Sequence, residues 1–205
     1  MYSRVYTPQV VPPTPAAPRV LLPRADRAAS ILRGAATAFA RAGFAATSME
    51  DVAAASGITK LIVYRHFESK EELYRAVLTR VSDRLAANFA EALESERPGG
   101  VGTRAMLATA REDPDGFVLL WRHAAREPQF ADYAAQQRAQ AVAVARSLRG
   151  AEGDEVWELW AAEAIVSWLV ESVLSWLEVG DPARDEEFLS RVADGLRAMR
   201  VAWDA

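Results

Sequence analysis

The run TKLIVYRHFESK, residues 59–70, gathers the side chains best suited to chemistry on a polyanion. Lys60, Arg65, His66 and Lys70 offer N–H donors, and Thr59 and Tyr64 offer hydroxyls. Between them lie Leu61, Ile62 and Val63, which with Tyr64 cover most of a helical circumference. On a helix Val63 and Phe67 share one face and suit a core, while Leu61 projects about 200° from Val63, outward and beside Arg65. Ile62 projects sideways with His66. An apolar side chain on an outer face breaks the usual pattern of a soluble helix, and such breaks tend to mark function. In the DNA major groove the apolar target is the thymine methyl. The competing reading is that Leu61 and Ile62 pack on another part of the chain, such as its proline-rich start.

The flanking sequence predicts the elements that hold this run. Residues 25–42 place Ala28, Ile31, Ala35, Phe39 and Ala42 on one helical stripe, with Gly43 as a C-terminal cap. Thr47 and Glu50 have the spacing of a capping box opening a short helix through Ala55. Gly57 breaks it, Thr59 caps the next helix to about His66, and Ser69 with Glu72 forms a second box. A long helix then runs toward Arg97-Pro98-Gly99-Gly100. Helix, tight turn and second short helix make a helix-turn-helix, whose second helix enters the major groove.

The stretch TSMEDVAAASGITKLIVYRHFESKEELYRAVL resembles the DNA-binding region of the TetR family of transcriptional regulators. The residues that carry the resemblance are Phe39, Gly43, Thr47, Val52, Ala53, Gly57, Tyr64, Phe67, Lys70 and Leu73, and it covers about residues 24–72. It implies that Lys60, Leu61, Ile62 and Tyr64, on the helix opened by Thr59, face base edges. Arg65, His66, Thr47 and Lys70 would then hold phosphates, Lys70 aided by its helix N-terminus. Leu61 and Ile62 depart from the family pattern, which more often has small or hydroxyl residues there.

Charge distribution agrees. Residues 1–80 hold 11 Lys and Arg against 6 Asp and Glu, a balance of +5, whereas the remainder holds 13 against 22, a balance of −9. The N-terminal part is therefore the one expected to meet a polyanion. Six of the ten prolines fall within residues 1–23, which read as a flexible arm whose Arg19, with Arg24 just beyond it, would add phosphate or minor-groove contacts. The chain has no cysteine, which excludes disulfides and thiolate metal sites and fits a reducing cytoplasm. Glutamates interrupt the longest apolar stretch, residues 156–179, short of the roughly 18 residues of a membrane span, so no membrane contact is expected.

Beyond residue 100 the periodicity stays helical. Thr103 is the expected cap of a helix through Arg111, and Asp113-Pro114 and Glu127-Pro128 mark further starts. Asp154 opens a long helix to Val179, and Gly180-Asp181-Pro182 turns into a last helix ending near Trp203. The expected fold is all-α: a three-helix helix-turn-helix domain over 24–72, then a helical ligand-binding and dimerisation domain over 73–205. The helix over 154–179 is apolar nearly all round, which demands burial nearly all round. With Phe188, Val192, Leu196, Met199 and Trp203 of the last helix, it suits a four-helix bundle between two subunits. A homodimer also matches a palindromic operator. Phe117, Leu120, Trp121, His123 and Tyr133, with Trp168 and Glu171, are the candidate lining of an effector pocket. Each also fits an ordinary core position, and Glu171 fits a solvated stripe with Glu163, Ser167 and Glu178.

Two other functions compete with a ligand-released, DNA-binding repressor. An all-α enzyme has little to work with: two histidines, 66 and 123, and no phosphate-binding glycine loop or His-Glu metal spacing. Glu112, Asp113, Asp115 and Glu127 sit at helix ends, where capping and dipole effects explain them. No cofactor is expected. A helical adaptor without DNA binding is opposed by Lys60, Tyr64, Arg65 and Lys70.

Overall fold

In a computed structural model the described residues, 24–95, 100–149 and 154–203, form nine α-helices, with no strand among them. The arm over 1–23 with its Arg19, and the side chain of Arg24, lie outside the described residues. The helices are α1 (Arg24–Ala46), α2 (Met49–Ala55), α3 (Lys60–Tyr64), α4 (Lys70–Glu94), α5 (Val101–Glu112), α6 (Pro114–Val118), α7 (Ala131–Arg149), α8 (Glu155–Val179) and α9 (Asp185–Trp203). A π-helical turn (Leu119–His123) and a 3-10 turn (Ala124–Arg126) connect α6 to the segment before α7.

Caps fix these boundaries, and four differ from expectation. Gly43 leaves the helical region at φ 80°, and the chain after it turns Thr47 inward. Ser48 is therefore the cap of α2, accepting from the Asp51 N–H at 3.2 Å while Asp51 accepts from the Ser48 N–H at 2.8 Å. The expected Thr47–Glu50 box is one residue out. Thr59 stands at the cap position of α3 but makes no side-chain capping bond. Thr103 lies inside α5, fully buried, and Gly100 precedes that helix instead. The second box forms by half: Ser69 accepts from Glu72 N–H at 3.0 Å, while the Glu72 carboxylate reaches the N–H of Glu68 rather than of Ser69. Asp113 and Asp154 cap α6 and α8 as their sequence context predicts.

Two apolar cores follow from the periodicity. The first lies under the helix-turn-helix and combines Ile31, Phe39, Val52, Val63, Tyr74 and Leu78 with Leu119, Leu120 and Phe130 from far along the chain. Tyr74 stacks on Phe130 at 4.4 Å between centroids, and Phe44 meets Phe130 edge-on at 5.2 Å. Such ring pairs add to the area they bury. The expected division at 72/73 falls in the first turn of α4, and residues 119–130 complete the core of the N-terminal unit. The second core joins Met106, Phe117, Val166, Leu169, Val173, Phe188 and Val192.

By length and composition α8 is apolar enough to cross a membrane. Its Ala161, Ala162, Ile165, Val166, Leu169, Val170, Val173 and Leu174 are instead buried against the protein. Its ends expose Val156, Trp157, Leu159, Trp160 and Val179. Arg111 pins α9 to α5 through both carboxylate oxygens of Asp185, at 2.7 and 3.0 Å, and the Trp176 indole donates to the same carboxylate at 2.7 Å.

Candidate nucleic-acid interface

The geometry of α3 rests on two close approaches. Gly57, at φ 65°, makes the turn out of α2 in a conformation that side-chain-bearing residues rarely adopt. Gly34 of α1 lets that turn come close, since a Cβ there would lie 2.2 Å from the Ser56 hydroxyl and 2.9 Å from its backbone nitrogen. Val63 is then fully buried and Phe67 nearly so, fixing the rotation of α3. The consequence is an outer face on which Leu61 is 72% and Tyr64 44% exposed, with Thr59, Lys60 and Arg65 also exposed and Ile62 and His66 half-buried.

Lys60 is not idle on that face. Its ammonium pairs with Glu50 of α2 and lies 5.6 Å from the Tyr64 ring centroid. The hydrogen bond from Lys60 holds the Glu50 carboxyl below its usual range and raises the Lys60 ammonium. The Arg65 side chain makes no hydrogen bond or ion pair among the described residues. Its guanidinium is thus open to a phosphate or a base edge.

Two expected phosphate ligands are differently employed. Thr47 is only 2% exposed, and its hydroxyl points at the carbonyls of Gly43 (2.7 Å) and Ala38 (3.2 Å), so it braces the end of α1 and is withdrawn from the surface. Lys70 donates to the carbonyls of Phe44 (2.8 Å) and Ala45 (3.3 Å), which leaves one of its three N–H groups for an outside acceptor.

The seven expected effector contacts do not converge. Phe117 is sealed in the second core and Leu120 in the first, with Trp121 packed between them. His123 ends the π-helical turn, half-buried, and Trp168 closes over Gly195, where a Cβ would come within 2.9 Å of its ring. Glu171 is exposed and shares Arg122 with Glu178, which is the solvated stripe rather than a pocket wall. Tyr133 comes nearest, donating to the Ser82 hydroxyl at 3.1 Å.

Ser82 does line a cavity of about 490 Å³, enclosed by α4, α5, α7, α8 and α9. Its walls are Leu85, Phe89, Met106, Ile165, Leu169 and Leu196, with Gly100–Thr103 at the start of α5 and Arg197 and Arg200 of α9 at its edge. None of the seven expected residues is among its lining. Aromatic residues drew attention in the sequence, whereas this cavity is built from aliphatic and small side chains that carry no signal of their own.

The family model of bacterial regulatory proteins, tetR family, matches residues 31–77, which contain the whole helix-turn-helix described above. The N-terminal part of the chain is a tetR-type helix-turn-helix domain. FasR, an HTH-type transcriptional activator of Mycolicibacterium smegmatis, is 33% identical over 115 residues, 54% of this chain and 52% of FasR. An HTH-type transcriptional repressor of Mycobacterium tuberculosis is 40% identical over 111 residues, 51% of this chain and 57% of that protein. The chain thus aligns with about half the length of the curated relatives it matches.

Solved structures extend the likeness beyond the N-terminal domain. The TetR-family regulator PfmR of Thermus thermophilus is 29% identical with a TM-score of 0.59, covering 81% of this chain and 96% of PfmR. A TetR-like regulator from Rhodococcus, at 23% identity and a TM-score of 0.67 over 84% of this chain and 96% of its own, shares the fold. Tyr64 ends α3 on its exposed side, and Phe67, three residues beyond, is buried.

Proposed function

We propose that this chain is a cytoplasmic transcriptional repressor of the TetR family that binds a palindromic DNA operator as a homodimer and is released by a small molecule. The observation that carries the reading is the outer face of α3, where Leu61, Tyr64 and Arg65 stand exposed around a helix anchored by buried Val63. In the groove Lys60, Leu61, Ile62 and Tyr64 meet base edges, and Thr59, Arg65, His66 and the spare donor of Lys70 meet phosphate and sugar. No residue is assigned a catalytic role.

Dimerisation is supported by apolar surface left uncovered on one subunit. Val156, Trp157, Leu159, Trp160 and Val179 of α8 and Val201 of α9 are all exposed, and Trp160 packs edge-on to Trp203 at 4.8 Å. The cluster at the start of α8, Val156, Trp157, Leu159 and Trp160, is apolar surface of the kind that marks association. The effector occupies the cavity bounded by α5, α8 and α9. It acts by binding more tightly to a conformation in which the two recognition helices no longer match the operator, because only differential affinity moves an equilibrium.

The test is binding of the purified protein to duplexes that it selects from genomic fragments, followed by fluorescence anisotropy over a salt series. Sub-micromolar, sequence-selective binding that weakens steeply with salt is expected, together with a dimer in sedimentation velocity. Salt-insensitive binding, or none, overturns the DNA reading, and a stable soluble monomer overturns the dimer.

A further inference from the structure

The cavity between α5, α8 and α9 has a polarity that names the chemistry of its ligand. Its walls are mostly aliphatic, and the two charged residues among its described lining, Arg197 and Arg200, are both cations. No carboxylate lines it among the described residues. Arg197 is paired with Asp194 outside the lining, whereas Arg200 has no ion pair among the described residues.

A second feature points the same way. The first turn of α5, Gly100–Thr103, forms part of the wall. The first N–H groups of a helix have no partner within it and carry partial positive charge. Gly100, at φ 74°, brings the chain sharply into this helix and has no side chain to cap it. Thr103, in the same turn, is fully buried, and its hydroxyl has no hydrogen-bond partner. A buried hydroxyl without a partner is costly, and its residue borders the cavity, so an acceptor seated against the first turn of α5 would satisfy it. Helix N–H groups, a donor hydroxyl and guanidinium groups all favour one kind of atom, an anionic oxygen.

The geometry points to an amphipathic anion as the ligand of this cavity: an unbranched or lightly branched hydrocarbon chain ending in a carboxylate. The chain lies along Leu85, Phe89, Met106, Ile165 and Leu169. The carboxylate accepts from the Thr103 hydroxyl and the N-terminal N–H groups of α5, with Arg200 adding attraction from the edge. A volume of about 490 Å³ falls within the size range of small-molecule sites. A cationic ligand would meet like charge at the arginines, and a neutral oxygen would accept more weakly than an anionic one. The inference rests on the effector reading above but not on DNA binding.

Titration calorimetry of the full chain without DNA tests it with three probes of equal length: decanoate, 1-decanol and decylamine. Decanoate is expected to bind saturably at one per subunit, at least about tenfold tighter than decanol, with decylamine weakest. Thr103→Val keeps the side-chain shape and removes the donor, so it should weaken decanoate by roughly three- to tenfold and leave decanol unchanged. Ala141→Leu, which adds bulk to the cavity wall, should weaken both decanoate and decanol. If Thr103→Val does not fold by circular dichroism, Arg200→Gln replaces it, with a smaller loss for decanoate alone. Decanol binding as tightly as decanoate, decylamine binding tightest, or no saturable binding by any probe overturns the proposal. Binding of decanoate by a protein that ignores duplex DNA leaves this site standing and removes the operator reading instead.

Discussion

The Lys70 ammonium donates to the carbonyl of Phe44 at 2.8 Å while lying 4.4 Å from the centroid of the same residue's ring. One cation at the start of α4 thereby closes the end of α1, and Phe44 in turn touches Tyr74 and Phe130 of the first core. The residue that sequence resemblance assigns to phosphate is a brace between two helices of the DNA-binding unit.

Lys70→Met should therefore cost stability as well as DNA affinity. Charge-assisted bonds of this kind contribute about 1.5–3 kcal/mol, and the half-buried setting favours the lower end. Urea unfolding should show a loss of roughly 1.5 kcal/mol. Arg65→Ala, by contrast, should leave unfolding unchanged, because its side chain makes no hydrogen bond or ion pair among the described residues, and should weaken all DNA sequences alike, because a phosphate contact carries no base identity. Equal stability of both variants would return Lys70 to a purely phosphate-binding role.

Glu50 and Lys60 supply a second test. A carboxylate on the recognition surface repels phosphate and occupies the ammonium that should reach a base. Glu50→Gln is expected to raise affinity for duplex DNA by roughly two- to fivefold, the range of an exposed ion pair, with part of the gain on non-cognate sequence. Anisotropy on matched and scrambled duplexes reads both quantities. A loss of cognate affinity would mean that Glu50 positions Lys60 rather than competing for it.

Acid sensitivity should trace in part to His123. Burial, then the neighbouring guanidinium groups of Arg126 and Arg122, hold its imidazole below the ordinary value of 6.5, against an opposing pull from Glu127. The unfolded chain thus takes up this proton at a higher pH than the folded one. Stability from the neutral imidazole is fully present above pH 6.5 and is lost as pH falls from there through the lower folded value. His123→Gln should flatten the fall in unfolding free energy over that acid window and change little at pH 8. An unchanged slope would place the proton uptake elsewhere.

What the sequence made legible were relationships set by helical geometry alone. Val63 and Phe67 inside with Leu61 outside follow from 100° per residue, and the structure places them so. Asp113 and Asp154 capped as expected because each stands beside a helix breaker, Asp113 before Pro114 and Asp154 after Gly153, with an N-cap side chain at the start of the run. The Thr47–Ser48 pair did leave a choice, since either hydroxyl can cap and only the turn at Gly43 decides. That shift frees Glu50 from the box and lets it meet Lys60, a pairing invisible in one dimension. The Gly34–Ser56 approach and the effector cavity needed the packed structure, because glycine, alanine and leucine announce no role until their neighbours are known.

The central claim is that the exposed face of α3 reads DNA, and Leu61 tests it most directly. Leu61→Ala removes an apolar group that touches no core, so the fold should survive, as circular dichroism checks. Deoxyuridine in place of the contacted thymine removes only the methyl. Each change alone should weaken cognate binding by about 1 kcal/mol, the lower end for a base contact. Anisotropy titrations of both proteins on both duplexes complete the cycle. The uracil substitution should weaken binding of the wild type and cost nearly nothing in Leu61→Ala, at one thymine position in each half-site. Losses that simply add at every thymine would contradict it, and unfolding of Leu61→Ala would show the residue to be part of the core.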